Sequence, residues 1–231
     1  MKGVQHVGRL CVYGDSYAAD HGEEWQWFRQ LSSLLDQPYT VTACEGIAND
    51  WISHYILEHK WQSDDVPVII ATEPARQWWF EKDPHMSNVA SIFNTDEFRE
   101  YTKQNKRQVD SVHVYYAHLW RPELDMTRFH AHIALWCVQG VAPVIIPAFD
   151  TPVCYDLARC SVVGSLDNCV SKPEFASETH MRQAYTRDGR DCRINHMSRE
   201  NHTVLAHKIH EGLSTGTIDL TEGFLRAKPT L

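Results

Sequence analysis

Two uninterrupted apolar segments constrain the fold of this chain more than any other feature. They are VPVIIA, from Val66 to Ala71, and VAPVIIPAF, from Val141 to Phe149. A strand with one solvated side alternates apolar and polar residues, whereas a strand covered on both faces is apolar throughout. Both segments are therefore predicted to be strands buried on both faces, with Pro143 near the beginning of the second one.

Further strands and helices alternate with these two segments along the chain. Strands are predicted at Arg9–Tyr13, at Tyr39–Ala43 and within Ser161–Leu166. Three helices are predicted from residues at helical spacing. The first contains Trp25, Phe28, Leu31 and Leu35, the second Ile52, Tyr55, Ile56 and His59, and the third Phe129, Ile133 and Trp136. Alternation of this kind predicts an α/β fold, with a parallel sheet covered by helices on both faces.

Signals for helix ends support this interpretation. Asp20 and Glu23 have the spacing of an N-cap residue and its partner at the start of the first helix. Gly140 is predicted to end the helix before the second buried strand. In SRENHTVLAHKIHEG, Ser198 is the predicted cap of the last helix and Gly212 its end.

The chain is predicted to be a single domain over residues 1–231. It contains no repeat and no linker-like stretch, and its 231 residues are enough for one well-buried core. Residues 77–106 give no clean pattern and are interpreted as an insertion or lid over a pocket. Residues 151–195 are also irregular.

Composition excludes several classes of function. A net charge of −8 argues against nucleic acid as a partner. No apolar run reaches the ~20 residues that span a bilayer, and the first residues lack a secretory apolar stretch. The seven cysteines are scattered without a Cys-x-x-Cys pair, which favours a reducing compartment. A cytoplasmic protein without membrane contact is expected, and its oligomeric state stays open.

The segment LCVYGDSYAAD presents a candidate nucleophile, because the first strand ends there at Gly14, Asp15 and Ser16. A serine hydroxyl attacks only when a neighbouring base removes its proton. At a strand-to-helix turn, backbone N–H groups and the positive end of the helix can stabilise an oxyanion. The alternative is that Ser16 is only the polar start of an ordinary turn.

The second candidate feature is ACEGIANDW, where Gly46 follows the second strand on the same edge of the sheet. A glycine there permits close approach of the backbone and can offer its N–H group to an oxyanion. Asn49 can donate through its side-chain amide, or it can cap the following helix. A plain strand–turn–helix junction remains the simpler interpretation.

A candidate base lies near the C-terminus in DCRINHMSRENH. His196 follows the last core strand and precedes the final helix, and Asp191 is the nearest carboxylate that could orient its imidazole. The chain has 14 histidines, so only this position distinguishes His196 from a surface or core histidine. His202, inside the helix, is interpreted as a packing residue.

These blocks together resemble the SGNH hydrolases, also called GDSL-type esterases. Gly14-Asp15-Ser16 matches their first block, Gly46 the glycine after the second strand, and His196 the catalytic histidine. The resemblance covers most of the chain, and GIAND and NHMS are similar to bacteriophage-encoded members. It implies a three-layer, flavodoxin-like fold, acylation of Ser16, His196 as base, and an oxyanion hole that includes Gly46.

Two departures from the family pattern remain. The family's Gly-x-Asn-Asp block should follow the third strand, but GIAND follows the second, and ATEPARQWWF follows the third. Thr72 is the nearest replacement there, and Arg76 could add positive charge. Arg193 stands where the family has its acid, three residues before the histidine, so the site contains either Asp191 or a Ser16–His196 dyad.

Other chemistries have less support. His130 and His132 are two residues apart on a helix and face different directions, and no P-loop or dinucleotide motif is present. No metal or cofactor is therefore expected. A metal-dependent phosphoesterase would need carboxylates such as Asp15, Glu73 and Asp150 to gather at one edge.

The resulting expectation is a serine esterase that hydrolyses a small acyl group, such as acetyl on a carbohydrate. Aromatic residues in QWWF, after the third strand, could stack on a sugar or could belong to the core. The alternative is an SGNH-fold module with little or no catalytic activity that binds carbohydrate or another partner.

Overall fold

A parallel sheet of four strands is the centre of the molecule. The computed structural model describes residues 8–78, 103, 106–169 and 197–225. The strands of the sheet are β1 (Leu10–Gly14), β2 (Tyr39–Ala43), β3 (Val66–Ala71) and β4 (Val144–Pro147), in the order β2-β1-β3-β4. Leu10 pairs with Tyr39 on one side and Val66 on the other, and every pairing is parallel. The predicted bounds of β2 and β3 are confirmed.

Helices flank the sheet on both faces. Those within the described residues are α1 (Trp27–Leu35), α2 (Asn49–Glu58), α3 (Lys106–His118), α4 (Pro122–Cys137) and α5 (Arg199–Thr215). Helices α1 and α5 pack together on one face, and α2 and α4 pack together on the other. The coarse α/β prediction is confirmed. None of the described helices is long and apolar enough to cross a membrane.

The apolar runs are buried because β1, β3 and β4 each contribute to two separate cores. In β1, Leu10 and Val12 belong to the core beside α1 and α5, whereas Cys11 and Tyr13 belong to the core beside α2 and α4. The strands β3 and β4 divide their side chains between the same two cores. Successive side chains of a strand point to opposite faces, so a sheet covered on both faces requires apolar residues at every position.

The start of the first helix differs from the prediction. Helix α1 begins at Trp27, and its N-cap residue Gln26 makes no side-chain capping bond. Instead, the backbone N–H of Trp27 donates to Nδ1 of His202 at 3.3 Å, across the interface with α5. Asp20 accepts from the N–H of Gly22 and from Arg29. The prediction that Asp20 and Glu23 cap this helix is wrong, because a tertiary contact replaces the local cap.

The last helix is capped as predicted but ends later. The Ser198 side chain accepts from the N–H of Asn201, which confirms the cap, and α5 ends before Gly216, which has a φ of 80°. Gly212 lies inside the helix, and a Cβ there would lie 2.2 Å from Cγ1 of Ile218. The prediction that Gly212 ends the helix is wrong, because this glycine permits a close contact with the following strand.

The short strand predicted within Ser161–Leu166 is present but does not extend the central sheet. Strand β5 (Ser161–Val163) pairs in parallel with β6 (Thr217–Asp219) in a separate two-stranded sheet. Helix α4 ends at Cys137, and Gly140, with a φ of 86°, follows it as part of the turn towards β4.

A buried chain of hydrogen bonds joins α2 to α4. The indole Nε1 of Trp136 donates to Ser53 Oγ at 2.8 Å, and Ser53 Oγ lies 2.7 Å from Nδ1 of His132. Burial lowers the pKa of His132, with Asp50 opposing this shift and Arg128 adding to it. Burial therefore favours the neutral imidazole, which shares one hydrogen bond with the Ser53 hydroxyl.

We expect Gly212→Ala to lower the free energy of unfolding, although alanine is the better helix former by about 1 kcal/mol. The added methyl group would overlap Ile218, and overfilling a core costs about 1–3 kcal/mol. Urea denaturation measures the change. Thr203→Ala, at an exposed position of the same helix, is the control and should stay within about 0.5 kcal/mol. A Gly212→Ala protein as stable as the wild type would contradict this contact.

We expect His132 to make stability depend on pH. Its folded pKa lies below the unfolded value of about 6.5, so its contribution is complete above that pH and is lost as pH falls through the folded pKa. His132→Gln should therefore flatten stability against pH below 6.5, by up to about 1.4 kcal/mol per pH unit. Urea denaturation across pH measures this, with the exposed His130→Gln as control. Equal slopes for the two variants would exclude the effect.

Candidate functional site

The strand order indicates where a ligand would bind in a fold of this kind. Strand β2 lies on one side of β1, and β3 and β4 lie on the other, so the direction of winding reverses at β1. In open parallel sheets, ligands bind beyond the carboxyl ends of the strands at this reversal. Ser16 follows β1 directly and therefore lies at this position.

Ser16 belongs to a tight turn that Asp15 organises. The carbonyl of Asp15 accepts from the N–H groups of Ala18 and Ala19, and its Oδ1 accepts from the N–H of Tyr17 at 3.2 Å. Ser16 is half-buried in this turn. Because α1 begins only at Trp27, the expected helix N-terminus does not lie next to Ser16 in the chain, and the positive end of α1 is not part of the turn.

Gly14 is required by a close contact between strands. A Cβ on Gly14 would lie 2.7 Å from Cβ of Ile70 and 3.1 Å from Cβ of Ala18. Real Cβ atoms do not come so close to a neighbouring strand, so a larger residue would push β1 away from β3. The glycine of the Gly-Asp-Ser motif thus lets the turn fold back over the end of β3.

Asp15 is the buried anion of the site. Its side chain is 1% exposed, and its Oδ2 accepts from Nη1 of Arg76 at 3.0 Å. The same Nη1 donates to Oγ1 of Thr72 at 2.8 Å. Burial raises the pKa of Asp15, while the charge of Arg76 and the hydrogen bonds from Tyr17, Thr72 and Arg76 oppose the rise.

Arg76 connects three strand ends. Besides Asp15, which follows β1, its guanidinium carbon lies 5.3 Å from the ring centroid of Phe149, which follows β4. Its Nε lies 3.7 Å from Oε2 of Glu73 in the loop after β3. No local pattern in the sequence indicates the contact between Arg76 and Phe149. Because the Arg76 charge is paired with Asp15, it is already largely compensated inside the protein.

Asn49 and Thr72, both predicted site residues, are brought together. The Asn49 side chain donates through Nδ2 to the carbonyl of Thr72 and accepts through Oδ1 from its N–H, both at 3.0 Å. Both residues are buried, and the N-cap residue of α2 is Ala48, so Asn49 does not cap this helix. The asparagine of GIAND is thereby held against the end of β3. Gly46 precedes α2 with a φ of 71°, a conformation that favours glycine.

The predicted base and acid, His196 and Asp191, lie outside the described residues. The described chain resumes at Met197, which is buried in the core shared with α1 and α5. Most of the segment 77–106 also lies outside. Its first residues pack against the helices, since Gln77 donates to Asp125 at 3.3 Å and the N–H of Trp78 donates to Asp50 at 2.9 Å.

The residues considered for metal binding, three carboxylates and two histidines, are not arranged as metal ligands. Arg76 lies between Asp15 and Glu73, while Asp150 is exposed, so these three carboxylates do not form a ligand set. A positively charged guanidinium beside two of them opposes a metal ion there. In the helix that contains both histidines, His130 is exposed and His132 bonds to Ser53, so the two face different directions as predicted.

Comparison with known proteins gives no family for this chain, because no family model, curated protein or solved structure matches it significantly. The candidate site therefore rests on its own geometry. It consists of Ser16 on a tight turn, the buried Asp15–Arg76 ion pair that holds this turn, and the Asn49–Thr72 pair, whose Thr72 also bonds to Arg76.

We expect Asn49→Ala to destabilise the protein, because it leaves the N–H and the carbonyl of Thr72 buried without these partners. Each unsatisfied group costs about 1–3 kcal/mol, so a loss of about 2–4 kcal/mol is expected in urea denaturation. Leu57→Ala, at an exposed position of the same helix, should change stability by less than about 0.5 kcal/mol. Similar stabilities for the two variants would show that the hydrogen bonds between Asn49 and Thr72 contribute little.

Proposed function

We propose that this chain is a serine esterase of the SGNH type with a flavodoxin-like arrangement of its sheet. The observation that carries the proposal is the position of Ser16, on a tight turn directly beyond β1 where the strand order reverses. The strand order β2-β1-β3-β4 agrees with the first four strands of a flavodoxin-like sheet. The matches at Gly14, Asp15, Gly46 and His196 supply the rest of the support.

In the proposed reaction, Oγ of Ser16 attacks the carbonyl carbon of an ester while His196 takes the hydroxyl proton. The tetrahedral intermediate collapses, the alcohol leaves with that proton, and the acyl group stays on Ser16. Water then attacks the acyl-enzyme, with His196 again accepting a proton, and the free acid and Ser16 are released. Asp191 would orient the imidazole; without it, Ser16 and His196 would act as a dyad.

The oxyanion would be held mainly by backbone groups. The N–H groups of Ser16 and Gly46 are the proposed donors, and one well-placed donor is worth about 10²–10³ in turnover. An amide nitrogen carries two hydrogens, so Asn49 keeps one N–H beyond its bond to Thr72 and is the proposed third donor. This would give Asn49 the role that the family assigns to an asparagine after the third strand.

Asp15 and Arg76 have a positioning role in this proposal. Asp15 binds the N–H of Tyr17 through Oδ1 and Arg76 through Oδ2, so both carboxylate oxygens hold the turn that presents Ser16. Thr72 shares the same guanidinium nitrogen. Neither charged side chain needs to contact substrate for the site to depend on it.

A small acyl group on a carbohydrate is the proposed substrate class, in line with the family resemblance. Trp78, the first aromatic residue of QWWF, is half-buried in the loop after β3, and its indole ring suits the apolar face of a sugar. Acyl transfer through a serine needs neither metal nor cofactor.

One observation favours the second candidate, a module that binds carbohydrate without cleaving it. Two side chains expected to stabilise an oxyanion, Asn49 and Arg76, form hydrogen bonds within the protein, to Thr72 and to Asp15. A fold that uses these donors internally has fewer left for a transition state. The two candidates make opposite predictions about the reactivity of Ser16.

We expect a fluorophosphonate probe to add once to the wild-type chain and not to Ser16→Ala, as measured by intact-mass spectrometry. The probe reacts with an activated serine because its phosphorus takes the place of the ester carbonyl. His196→Ala should react at least about a hundredfold more slowly, since general-base catalysis contributes about 10²–10⁴.

Ser33→Ala, in the exposed part of α1, is the matched control and should label like the wild type. Circular dichroism confirms that each variant is folded. If the folded wild type takes no label, the esterase proposal is wrong and the binding module becomes the better interpretation. An adduct that survives in Ser16→Ala would identify a different nucleophile.

A further inference from the structure

A second polar cluster lies near the amino ends of β1 and β3, whereas Ser16 lies beyond the carboxyl end of β1. Cys11 comes from β1, His59 directly follows α2, and Asp65 directly precedes β3. One ligand atom from each residue lies within 4.8 Å of the others, with Cys11 Sγ 3.8 Å and Asp65 Oδ2 3.6 Å from Nε2 of His59. Tetrahedral zinc, with bonds of about 2.0–2.3 Å, holds neighbouring ligand atoms roughly 3.3–3.8 Å apart.

The hydrogen bonds around His59 direct the lone pair of Nε2 into this cluster. Nη2 of Arg9 lies 3.3 Å from Nε2, and a guanidinium can only donate, so Nε2 is the acceptor. Nδ1 therefore carries the proton and donates to the hydroxyl of Tyr13, which lies 2.7 Å away. Metal-binding histidines are held in this way, with the second ring nitrogen bonded to an oxygen.

The cluster already attracts a positive charge. Nη2 of Arg9 lies 3.0 Å from Oδ2 of Asp65 and 3.5 Å from the carbonyl of Lys60, in addition to its contact with His59. An oxygen ligand, an imidazole nitrogen and a carbonyl thus surround one cationic nitrogen. The guanidinium charge opposes a metal ion while Arg9 stays in this position, so the ion would have to displace this nitrogen.

A metal ion would have to take the place of the Arg9 guanidinium in its ion pair with Asp65. Oδ1 of Asp65 accepts from the backbone N–H and from Nε of Arg9, at 3.1 and 3.3 Å, whereas Nη2 contacts Oδ2. Because the guanidinium is rigid and planar, its Nε and Nη2 contacts would both be given up, and only the backbone N–H of Arg9 would remain bonded to Oδ1. The Arg9 side chain is 32% exposed, so its end can turn towards solvent and leave a path for the ion.

We propose that Cys11, His59 and Asp65 form a Zn²⁺ site. A thiolate, an imidazole and a carboxylate are the ligand types that zinc prefers, and the fourth position would hold water. Binding converts the Cys11 thiol into a zinc-bound thiolate and releases its proton to solvent. The ion would tie the end of α2 to β1 and β3 and would stabilise the fold, independently of chemistry at Ser16.

Equilibrium dialysis of the full chain against ZnCl₂ tests the proposal. The wild type should bind one ion per chain, and Cys11→Ser and Asp65→Asn should each weaken binding by more than a hundredfold. Tyr13→Phe removes the partner of Nδ1 and should weaken it by about 10–100-fold. Cys160→Ser, a buried thiol elsewhere, and His54→Ala, an exposed histidine of α2, are the controls and should bind like the wild type.

Arg9→Gln distinguishes a zinc site from a cluster in which Asp65 only forms an ion pair with Arg9. If Arg9 competes with the ion, this variant should bind zinc more tightly than the wild type, because the carboxylate loses its charged partner. Co²⁺ in place of zinc should give a thiolate charge-transfer band in the wild type that Cys11→Ser lacks. This spectrum decides the question even where a variant is unstable. Absence of the band, or equal zinc binding by Cys11→Ser and the wild type, would overturn the proposal.

Discussion

The arrangement of the candidate site depends on the ion pair between Asp15 and Arg76. A carboxylate removed from water is costly unless a cation and hydrogen bonds compensate it, and Asp15 is almost fully buried. Its compensation comes from the loop after β3, so the turn after β1 and that loop must fold together. Phe149 covers the guanidinium from the end of β4, which adds a third strand to the same interaction.

Burial of the sheet on both faces also explains why the two polar clusters, around Ser16 and around Asp65, lie at the ends of the strands. The side chains of β1 belong to the two cores, and Cys11 and Tyr13 reach a polar partner, His59, only through Sγ and the hydroxyl group. Ser16 follows the carboxyl end of β1, and Cys11 lies near its amino end beside Asp65. The same pairing of β1 with β3 positions both clusters, which are nevertheless separated by the length of the strand.

Local patterns in the sequence were enough to predict the sheet, and non-local contacts account for what they missed. Continuous apolar runs predicted β3 and the β4 region, and Ser198 was recognised as a cap because its partner lies three residues away. The start of α1 depends on His202, and the place of Gly212 depends on Ile218. Neither contact leaves a periodic signal, so residue spacing alone could not have revealed it.

The candidate site also combines a local motif, which the sequence reveals, with a non-local contact, which it does not. The motif around Ser16 is local and was recognised, but its ion pair joins residues 61 positions apart. From the sequence alone, Arg76 is a candidate source of positive charge for an oxyanion, because its pairing with Asp15 leaves no local signal. Since Asp15 now compensates that charge, any strong oxyanion stabilisation has to come from backbone N–H groups and the second N–H of Asn49. Catalysis at Ser16 would therefore depend on the precision of its turn more than on nearby charge.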